Sequence, residues 1–342
     1  MSRYLGRNKS VHKSNVKTAI LLTNLGTPVA PTASALRTYL KEFLSDPRVV
    51  EIPRLVWLII LHGIILRIRP KKSAKLYQSI WTEQGSPLMV ISQALMAKVS
   101  RLIAEKYQER VIVDLAMRYG EPSIESALNH FQKQGVQNII VLPLYPQYAG
   151  PTTGSTFDAV VKVIQRWRWI PSLHFVSSYH DHPMYIKALA NSVNEHVAKF
   201  GKPDKFVLSY HGMPKLFLDS GDPYYCFCHK TTRLLMTELE WQEDDYVMSF
   251  QSRFGKAEWL KPYTDETLVR LAQQGDKHIA IISPAFSADC LETLEELAHE
   301  NKETFLNAGG EKYYYIDALN DRDDHSQMVL DIVEKYIGGN EN

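Results

Sequence analysis

Short runs of apolar residues recur along the chain at intervals typical of buried strands. Eight such runs lie at residues 19–25, 111–117, 139–144, 173–177, 206–209, 246–250, 279–282 and 313–316. Their apolar positions are continuous rather than alternating, as in parallel strands that are covered on both faces. Segments with helical spacing lie between most of them, at residues 32–44, 88–107, 123–134, 156–167, 185–200 and 265–274. This alternation predicts an α/β fold with parallel sheets flanked by helices.

The pattern also repeats along the chain. Asn24-Leu-Gly-Thr-Pro28 resembles Tyr210-His-Gly-Met-Pro214, and each segment follows a predicted strand. We therefore expect two similar α/β halves. The expected divisions are a flexible basic tail at 1–16, a first half at 17–170, a second half at 171–322 and a final helix at 323–342 that packs back across the halves.

Length and composition narrow the class of protein. A chain of 342 residues exceeds what one core usually serves, which agrees with two halves. The net charge of +1 gives no reason to expect a nucleic-acid partner. Three cysteines favour a reducing compartment, and the basic N-terminus lacks the apolar stretch of a secretory signal. We expect a cytoplasmic protein whose first residues form a frayed tail rather than an organelle transit peptide.

Residues 55–66 form an apolar segment that is followed by Arg67, Arg69, Lys71 and Lys72. Twelve residues are too few to cross a bilayer, which needs about 20. The segment is interpreted either as a buried core helix or as an apolar lip beside a hydrophobic substrate or a membrane surface.

Two predicted strands end next to side chains that can bind metal or accept protons. His211 follows one strand and precedes Gly-Met-Pro, while Pro284 ends another and leads into an acidic segment. In that segment Glu292, Glu296 and Glu300 recur at every fourth position, so they share one face of a helix. Ligand sites of open α/β sheets form outside the carboxyl ends of strands. We predict that His211 and Glu292 face one cleft, against the alternatives of a structural histidine and a solvated acidic face.

Two further motifs carry weaker signals. The loop at residues 143–156 is rich in Pro, Gly and hydroxyl groups and feeds a helix N-terminus, which suits an anion, but it lacks the Lys of a phosphate-binding loop. The run Cys226-Phe-Cys228-His229 is interpreted as a structural loop, with zinc or a cluster as the less favoured alternative, because a closed metal site needs four ligands.

Taken together, these segments resemble the ferrochelatase family, whose members insert ferrous iron into protoporphyrin IX. The matching stretches are residues 21–28, 43–50, 85–88, 116–120, 142–148, 209–214, 249–255 and 289–296. They span nearly the whole chain in the family's order. The resemblance implies the chelatase-type arrangement of two Rossmann-like halves, each a parallel sheet flanked by helices, with the active-site cleft between them. It also implies a lyase that makes protohaem as the last step of haem synthesis.

The resemblance also implies roles for individual residues. His211 and Glu292 are the expected pair at the metal and at the pyrrole nitrogens, and Glu296 and Glu300 continue an acidic path for metal or protons. The expected porphyrin-binding residues are Leu25, Arg69, Lys72, Ser86, Arg118, Tyr119, Tyr145, Trp259 and Phe286.

The resemblance sets expectations for cofactors and partners as well. No cofactor is expected, because Fe²⁺ is a substrate. An iron–sulfur cluster is not expected either, since no cysteine follows Cys290. Cys290 also stands where some family members have a histidine. The expected partners are protoporphyrin IX and ferrous iron, with peripheral contact to the membrane or to neighbouring haem-pathway enzymes.

Two alternative functions and the choice of ring stay open at this point. A related chelatase would insert cobalt or nickel into another tetrapyrrole, and a haem or porphyrin carrier would need the pocket but not the acidic row. The ring itself is either protoporphyrin or its coproporphyrin precursor, with protoporphyrin favoured by the apolar segment and by the lack of a cluster tail.

Overall fold

The structure is a computed structural model that describes residues 4–6, 18–255 and 257–337. Most of the expected flexible tail at 1–16 lies outside the described residues. Within the described part of that tail, the backbone of Leu5 is hydrogen-bonded to Arg166 and Arg168, and Leu5 forms a parallel bridge with Trp167.

The described residues form two four-stranded sheets in which every pairing of named strands is parallel. The first sheet consists of β1 (Thr18–Gly26), β2 (Val111–Tyr119), β3 (Asn138–Pro143) and β4 (Ser172–Phe175), in the order β2-β1-β3-β4. The second consists of β5 (Lys205–His211), β6 (Tyr246–Gln251), β7 (His278–Ile282) and β8 (Lys312–Ile316), in the order β6-β5-β7-β8. The two orders are equivalent, which confirms two similar Rossmann-like halves.

Helices connect the strands and cover the sheets. They are α1 (Ala33–Leu44), α2 (Arg54–Ile60), α3 (Leu66–Ile80), α4 (Pro87–Tyr107), α5 (Ile124–Gln134), α6 (Ser155–Ile164), α7 (Pro183–Phe200), α8 (Lys215–Asp219), α9 (Tyr224–Leu239), α10 (Thr264–Gln274), α11 (Asn301–Asn307) and α12 (Asp323–Ile337). Local signals set several ends: Thr32 and Ser123 cap α1 and α5 through their hydroxyls, and Gly135 ends α5 in the left-handed conformation. Three π-helical segments also occur, at Leu61–Ile65, Gly150–Gly154 and Glu292–Glu300.

The chain divides into two compact units, each with its own core. The first comprises the described residues up to 144 together with 150–177 and 321–337, and the second comprises 145–149 and the described residues between 178 and 320. Strand β4 lies after the boundary expected at 170, but it pairs with β3 and so extends the first unit to Ser177. The last helix, α12, packs against α4 and β3 of the first unit.

Each core is built from the strands and the inward faces of the covering helices. In the first unit Leu21, Phe131 and Val141 belong to one buried cluster, while Val207 and Phe305 belong to the corresponding cluster of the second. All five side chains are completely buried. The fully buried strands explain why their sequences are continuously apolar.

The apolar segment 55–66 has two different faces. Trp57 and Leu61 are buried, and the Trp57 indole donates to the carbonyl of Leu44 at 2.6 Å. On the other face Leu55 is 80% exposed and Ile59 is 74% exposed. The inner face therefore packs as a core helix does, and the outer face presents apolar side chains to solvent.

Candidate active site

His211 is the last residue of β5, next to the point where the order of the second sheet reverses. The chain passes from β5 to β6 on one side and then to β7 on the other, so the carboxyl ends of β5 and β7 flank the switch point, where open α/β sheets bind ligands. The imidazole is half-buried, and its Nδ1 lies 2.6 Å from the carbonyl oxygen of Gly212. Since a carbonyl oxygen only accepts, we infer that Nδ1 carries the proton, which leaves the Nε2 lone pair for a metal or a proton.

Two aromatic side chains lie near the end of β5, Phe286 beside the His211 imidazole and Trp259 beside Gly212. The ring of Phe286, which follows β7, has its centroid 6.2 Å from that of His211. Trp259 approaches from the loop after β6: its Cε3 would be 3.2 Å from a Cβ built on Gly212, and its indole nitrogen donates to Phe254 O at 2.8 Å. Phe286 and Trp259 are half-buried, so both can present ring surface to a ligand.

The acidic row lies on a π-helix rather than on the α-helix that its spacing predicts. Glu292 is the first residue of this helix and Glu300 the last. The side-chain nitrogen of Gln251, at the end of β6, donates to the carbonyl of Glu292 at 3.0 Å and contacts the Glu296 carboxylate at 3.5 Å. The backbone of Glu292 and the carboxylate of Glu296 therefore both contact the end of β6, whereas Glu300 is exposed.

The carboxyl groups of this helix experience different environments. Burial raises the pKa of Glu296 above its ordinary value, while hydrogen bonds from Ser252 and the nearby imidazole of His211 oppose this shift. Burial together with repulsion from Glu300 and Glu296 raises the pKa of Glu295 to about 6. Both groups accept protons closer to neutral pH than an exposed glutamate does.

A buried hydrogen-bond network anchors the segment from which the acidic helix starts. Asp289 accepts hydrogen bonds from Tyr315 at 2.6 Å, from Asn320 at 2.7 Å and from Thr293 at 2.9 Å. Cys290 follows it, and burial raises the pKa of its thiol well above the ordinary value. Asp289 thus has a structural role, and Cys290 is a neutral thiol at physiological pH.

The predicted residues of the first unit lie at the ends of its strands or on its helices. Arg118, near the end of β2, donates through Nε to the hydroxyl of Ser155 at 2.6 Å and through Nη2 to Asp46. Tyr119 is fully buried, and its hydroxyl donates to Asp46 at 2.9 Å. Tyr119 is therefore placed to support Arg118 rather than to offer ring surface.

The other predicted porphyrin residues are distributed over both units. Leu25 is half-buried near the end of β1, and Ser86 is buried before α4, where it accepts from Thr27 at 2.8 Å. Arg69 is half-buried and Lys72 exposed, both on α3. Tyr145 is half-buried in the loop after β3. In the second unit the structure brings His211, Trp259, Phe286, Glu292 and Glu296 to the end of one sheet.

Comparison with known proteins identifies the family. The model of the family described as Ferrochelatase matches residues 17–337. The chain belongs to the ferrochelatase family. It is 59% identical over 327 residues to "Ferrochelatase 2" of Shewanella oneidensis, with 95% of this chain and 99% of the relative covered. It is 56% identical over 336 residues to the ferrochelatase of Shewanella denitrificans, with the same coverage of 95% and 99%.

Solved structures show the same fold at low sequence identity. SirB from Bacillus subtilis with Fe³⁺ superposes with a TM-score of 0.60 at 14% identity, covering 94% of this ferrochelatase-family chain and 96% of SirB. CbiX, described as the terminal enzyme for siroheme biosynthesis in denitrifying bacteria, gives a TM-score of 0.50 at 10% identity, with 93% and 98% covered. The two-unit chelatase fold expected from the sequence is thus confirmed.

The expected loop at Cys226-Phe-Cys228-His229 is wrong, because all of these residues lie on α9. Cys228 is completely buried, whereas Cys226 is exposed. Among the residues that the structure describes, no group of three or more His, Cys, Asp or Glu side chains is arranged to hold a metal ion. The motif therefore belongs to a packed helix of this ferrochelatase-family protein.

Sequence reasoning missed two residues that connect the site. Gln251 and Ser252 lie in the matched stretch 249–255, but they were not assigned a role. Gln251 pairs in register with His211 in the parallel sheet. Gln251 and Ser252 both contact the Glu296 carboxylate. The available signal was their position, because polar residues at the end of the strand adjacent to β5 share the edge of the sheet with His211.

Proposed function

We propose that this protein inserts Fe²⁺ into protoporphyrin IX, with release of two protons, to give protohaem, and that it acts as a lyase in the last step of haem biosynthesis. The observation that carries the proposal is the grouping at the end of β5. There the His211 imidazole, with an available Nε2, lies beside Phe286, and Trp259 lies beside Gly212. Gln251 connects Gly212 to the acidic π-helix.

The chemistry of the ring explains why each group is needed. A planar porphyrin carries two N–H protons, and its nitrogen lone pairs point inward where an aqueous metal ion cannot reach them. Insertion therefore needs a ring held out of plane, a base and a metal that has lost its water. Phe286 and Trp259 offer apolar surface whose binding energy can oppose the cost of the bend.

His211 and the glutamates supply ligand and base. Neutral imidazole is a suitable ligand for Fe²⁺ and its free ring nitrogen can also accept a proton, so His211 can serve either role. Glu292 is the second member of the proposed pair. Glu296, whose pKa is raised by burial, is a proton acceptor suited to pass protons outward toward Glu300.

An anaerobic assay with purified protein tests the function directly. Protoporphyrin IX and ferrous iron are mixed with the enzyme, and the absorbance of the metal-free ring should disappear as protohaem forms. Coproporphyrin, and cobalt or nickel in place of iron, are run in parallel. Porphyrin binding without metal insertion would instead indicate a carrier, and insertion only of cobalt or nickel into another tetrapyrrole would indicate the related chelatase.

We also propose that the protein needs no resident cofactor or iron–sulfur cluster, because the proposed reaction changes no oxidation state. Enzyme dialysed against a chelator should regain full turnover when iron and porphyrin alone are supplied. Turnover that returns only after reconstitution with iron and sulfide would contradict this.

We propose further that the protein is cytoplasmic and contacts the membrane peripherally through residues 55–66. The exposed Leu55 and Ile59 are followed by the exposed basic residues Lys71 and Lys72, an arrangement that suits acyl chains and anionic headgroups. Native protein should float with vesicles that contain anionic phospholipid, and the double variant Leu55→Asp, Ile59→Asp should stay in solution. Equal flotation of both proteins would refute the contact.

A further inference from the structure

The corner at the end of β6, Gln251 and Ser252, connects the histidine strand to the acidic π-helix. Gln251 is only 3% exposed, and every polar group of its side chain is engaged. Its amide oxygen accepts from the hydroxyl of Ser209 at 2.8 Å, and its amide nitrogen donates to the carbonyl of Glu292 at 3.0 Å. Its backbone carbonyl accepts from the N–H of Gly212 at 2.7 Å. Gln251 therefore fixes the backbone on both sides of the proposed reaction site.

Ser252 binds both oxygens of one carboxylate. Its backbone N–H donates to Oε1 of Glu296 at 2.7 Å, and its hydroxyl donates to Oε2 of the same group. Gln251 adds a longer contact of 3.5 Å to Oε2. A carboxylate has about four lone-pair positions, so these three contacts fix its plane and still leave a position for a proton or a cation.

The backbone conformation of Ser252 indicates that its contacts with Glu296 have a functional role. Its φ is +63°, in the left-handed region that residues other than glycine seldom occupy. This conformation directs both the N–H and the hydroxyl at one carboxylate. Strained backbone of this kind persists where the surrounding structure over-determines it, and it is concentrated at functional sites.

We propose that Ser252 is a positioning residue for Glu296, and that together with Gln251 it holds this carboxylate on the side of the π-helix that faces His211. The inference rests on the proposed function, because Glu296 is positioned for metal or proton transfer only if the protein performs that reaction. Ser252 itself contacts no reacting atom in this account and acts through Glu296.

A double-mutant cycle tests the proposal in the full-length protein. Ser252→Ala removes the hydroxyl donor and should lower kcat by about 10-fold, as expected for a hydrogen bond to a charged group, with the KM for porphyrin unchanged. In the Glu296→Gln background the same change should alter kcat by less than about 2-fold, because residues that act as one unit are not additive. Ser252→Gly relieves the backbone conformation but also lacks the hydroxyl, so it should lower kcat like Ser252→Ala. Ser100→Ala is the matched control, since its hydroxyl only bonds the preceding turn of α4.

An infrared measurement makes the test independent of turnover. The carboxylate band that is lost in Glu296→Gln should shift in Ser252→Ala, because one of its donors has been removed. An unshifted band would overturn the contact itself. A shifted band with wild-type kcat, or equal losses of kcat in both backgrounds, would overturn the positioning role. A wild-type enzyme that inserts no metal would instead refute the proposed function, whichever way the band behaves.

Discussion

Replacing Gly212 with alanine should disrupt the strand end that carries His211. A Cβ at this position would lie 2.5 Å from the backbone oxygen of Gln251 and 3.2 Å from the Trp259 ring. Carbon atoms pack best at about 3.5–4.0 Å, so the first contact is strongly repulsive. The oxygen belongs to β6 and cannot rotate away, and it also accepts the Gly212 N–H at 2.7 Å. The chain must therefore separate β5 from β6 locally.

The expected magnitude follows from these two effects. Overpacking costs about 1–3 kcal/mol and the lost hydrogen bond about 1 kcal/mol, so the free energy of unfolding should fall by about 2–4 kcal/mol. For a unit of this size that corresponds to a Tm lowered by about 4–16 °C. Because a misplacement of about 1 Å can reduce catalysis about 100-fold, kcat should fall further than stability alone would explain.

Thermal unfolding followed by circular dichroism, with turnover measured well below the lower Tm, separates the two effects. Gly63→Ala is the matched control, because a Cβ there meets nothing within 4 Å and the residue lies in a helical segment. Its Tm should be unchanged or slightly higher. Wild-type Tm and wild-type kcat in Gly212→Ala would refute the described geometry of the strand end and, with it, the assignment of His211 to a fixed site.

Three further outcomes are expected. His211→Ala should abolish metal insertion while porphyrin still quenches protein fluorescence on binding, and wild-type turnover in an anaerobic ferrous assay would disprove the assignment. The double change Glu296→Gln, Glu300→Gln should raise the KM for iron more than the KM for porphyrin, whereas equal effects would indicate a merely solvated face. The Glu295 pKa of about 6 lies above its ordinary 4.5, so its contribution favours the folded state below about pH 4.5 and is lost as the pH rises through 6. Glu295→Gln should therefore raise Tm more near pH 8 than near pH 5, and an equal change at both pH values would contradict the raised pKa.

The sheets could be predicted from the sequence because burial on both faces leaves a simple pattern. All eight predicted runs overlap strands in the structure, and the repeat between residues 24–28 and 210–214 reflects two equivalent sheet orders. Helix α9 could not be predicted in the same way. Its first turns contain Cys226-Phe-Cys228-His229, residues with weak helix propensity. They suggested a loop or a metal site instead of a packed helix. Helix α3 was also missed, since Pro70 lies inside it.

Site residues could be predicted only where a metal-binding or aromatic side chain lies at or just after the end of a strand. His211 ends β5 and Phe286 follows β7, so their proximity is a consequence of topology that the sequence already indicates. The contacts of Ser252 depend on a left-handed backbone and on a helix that begins after the next strand, and neither leaves a local pattern. The burial of Tyr119 depends on Asp46, which is distant in sequence and bonds its hydroxyl.

The gradient of burial along the π-helix argues against a uniformly solvated face and supports the proposed acidic path. A solvated face would expose each carboxylate equally, and water would be the main partner of all of them. Instead Glu296 has protein donors on both oxygens and a pKa raised by burial, whereas Glu300 is exposed. Burying Glu296 costs free energy that packing an apolar residue there would avoid, so stability alone does not account for a carboxylate at this position. A carrier that only binds a porphyrin has no need of such a group, but an enzyme that must remove two protons from the ring beside His211 does.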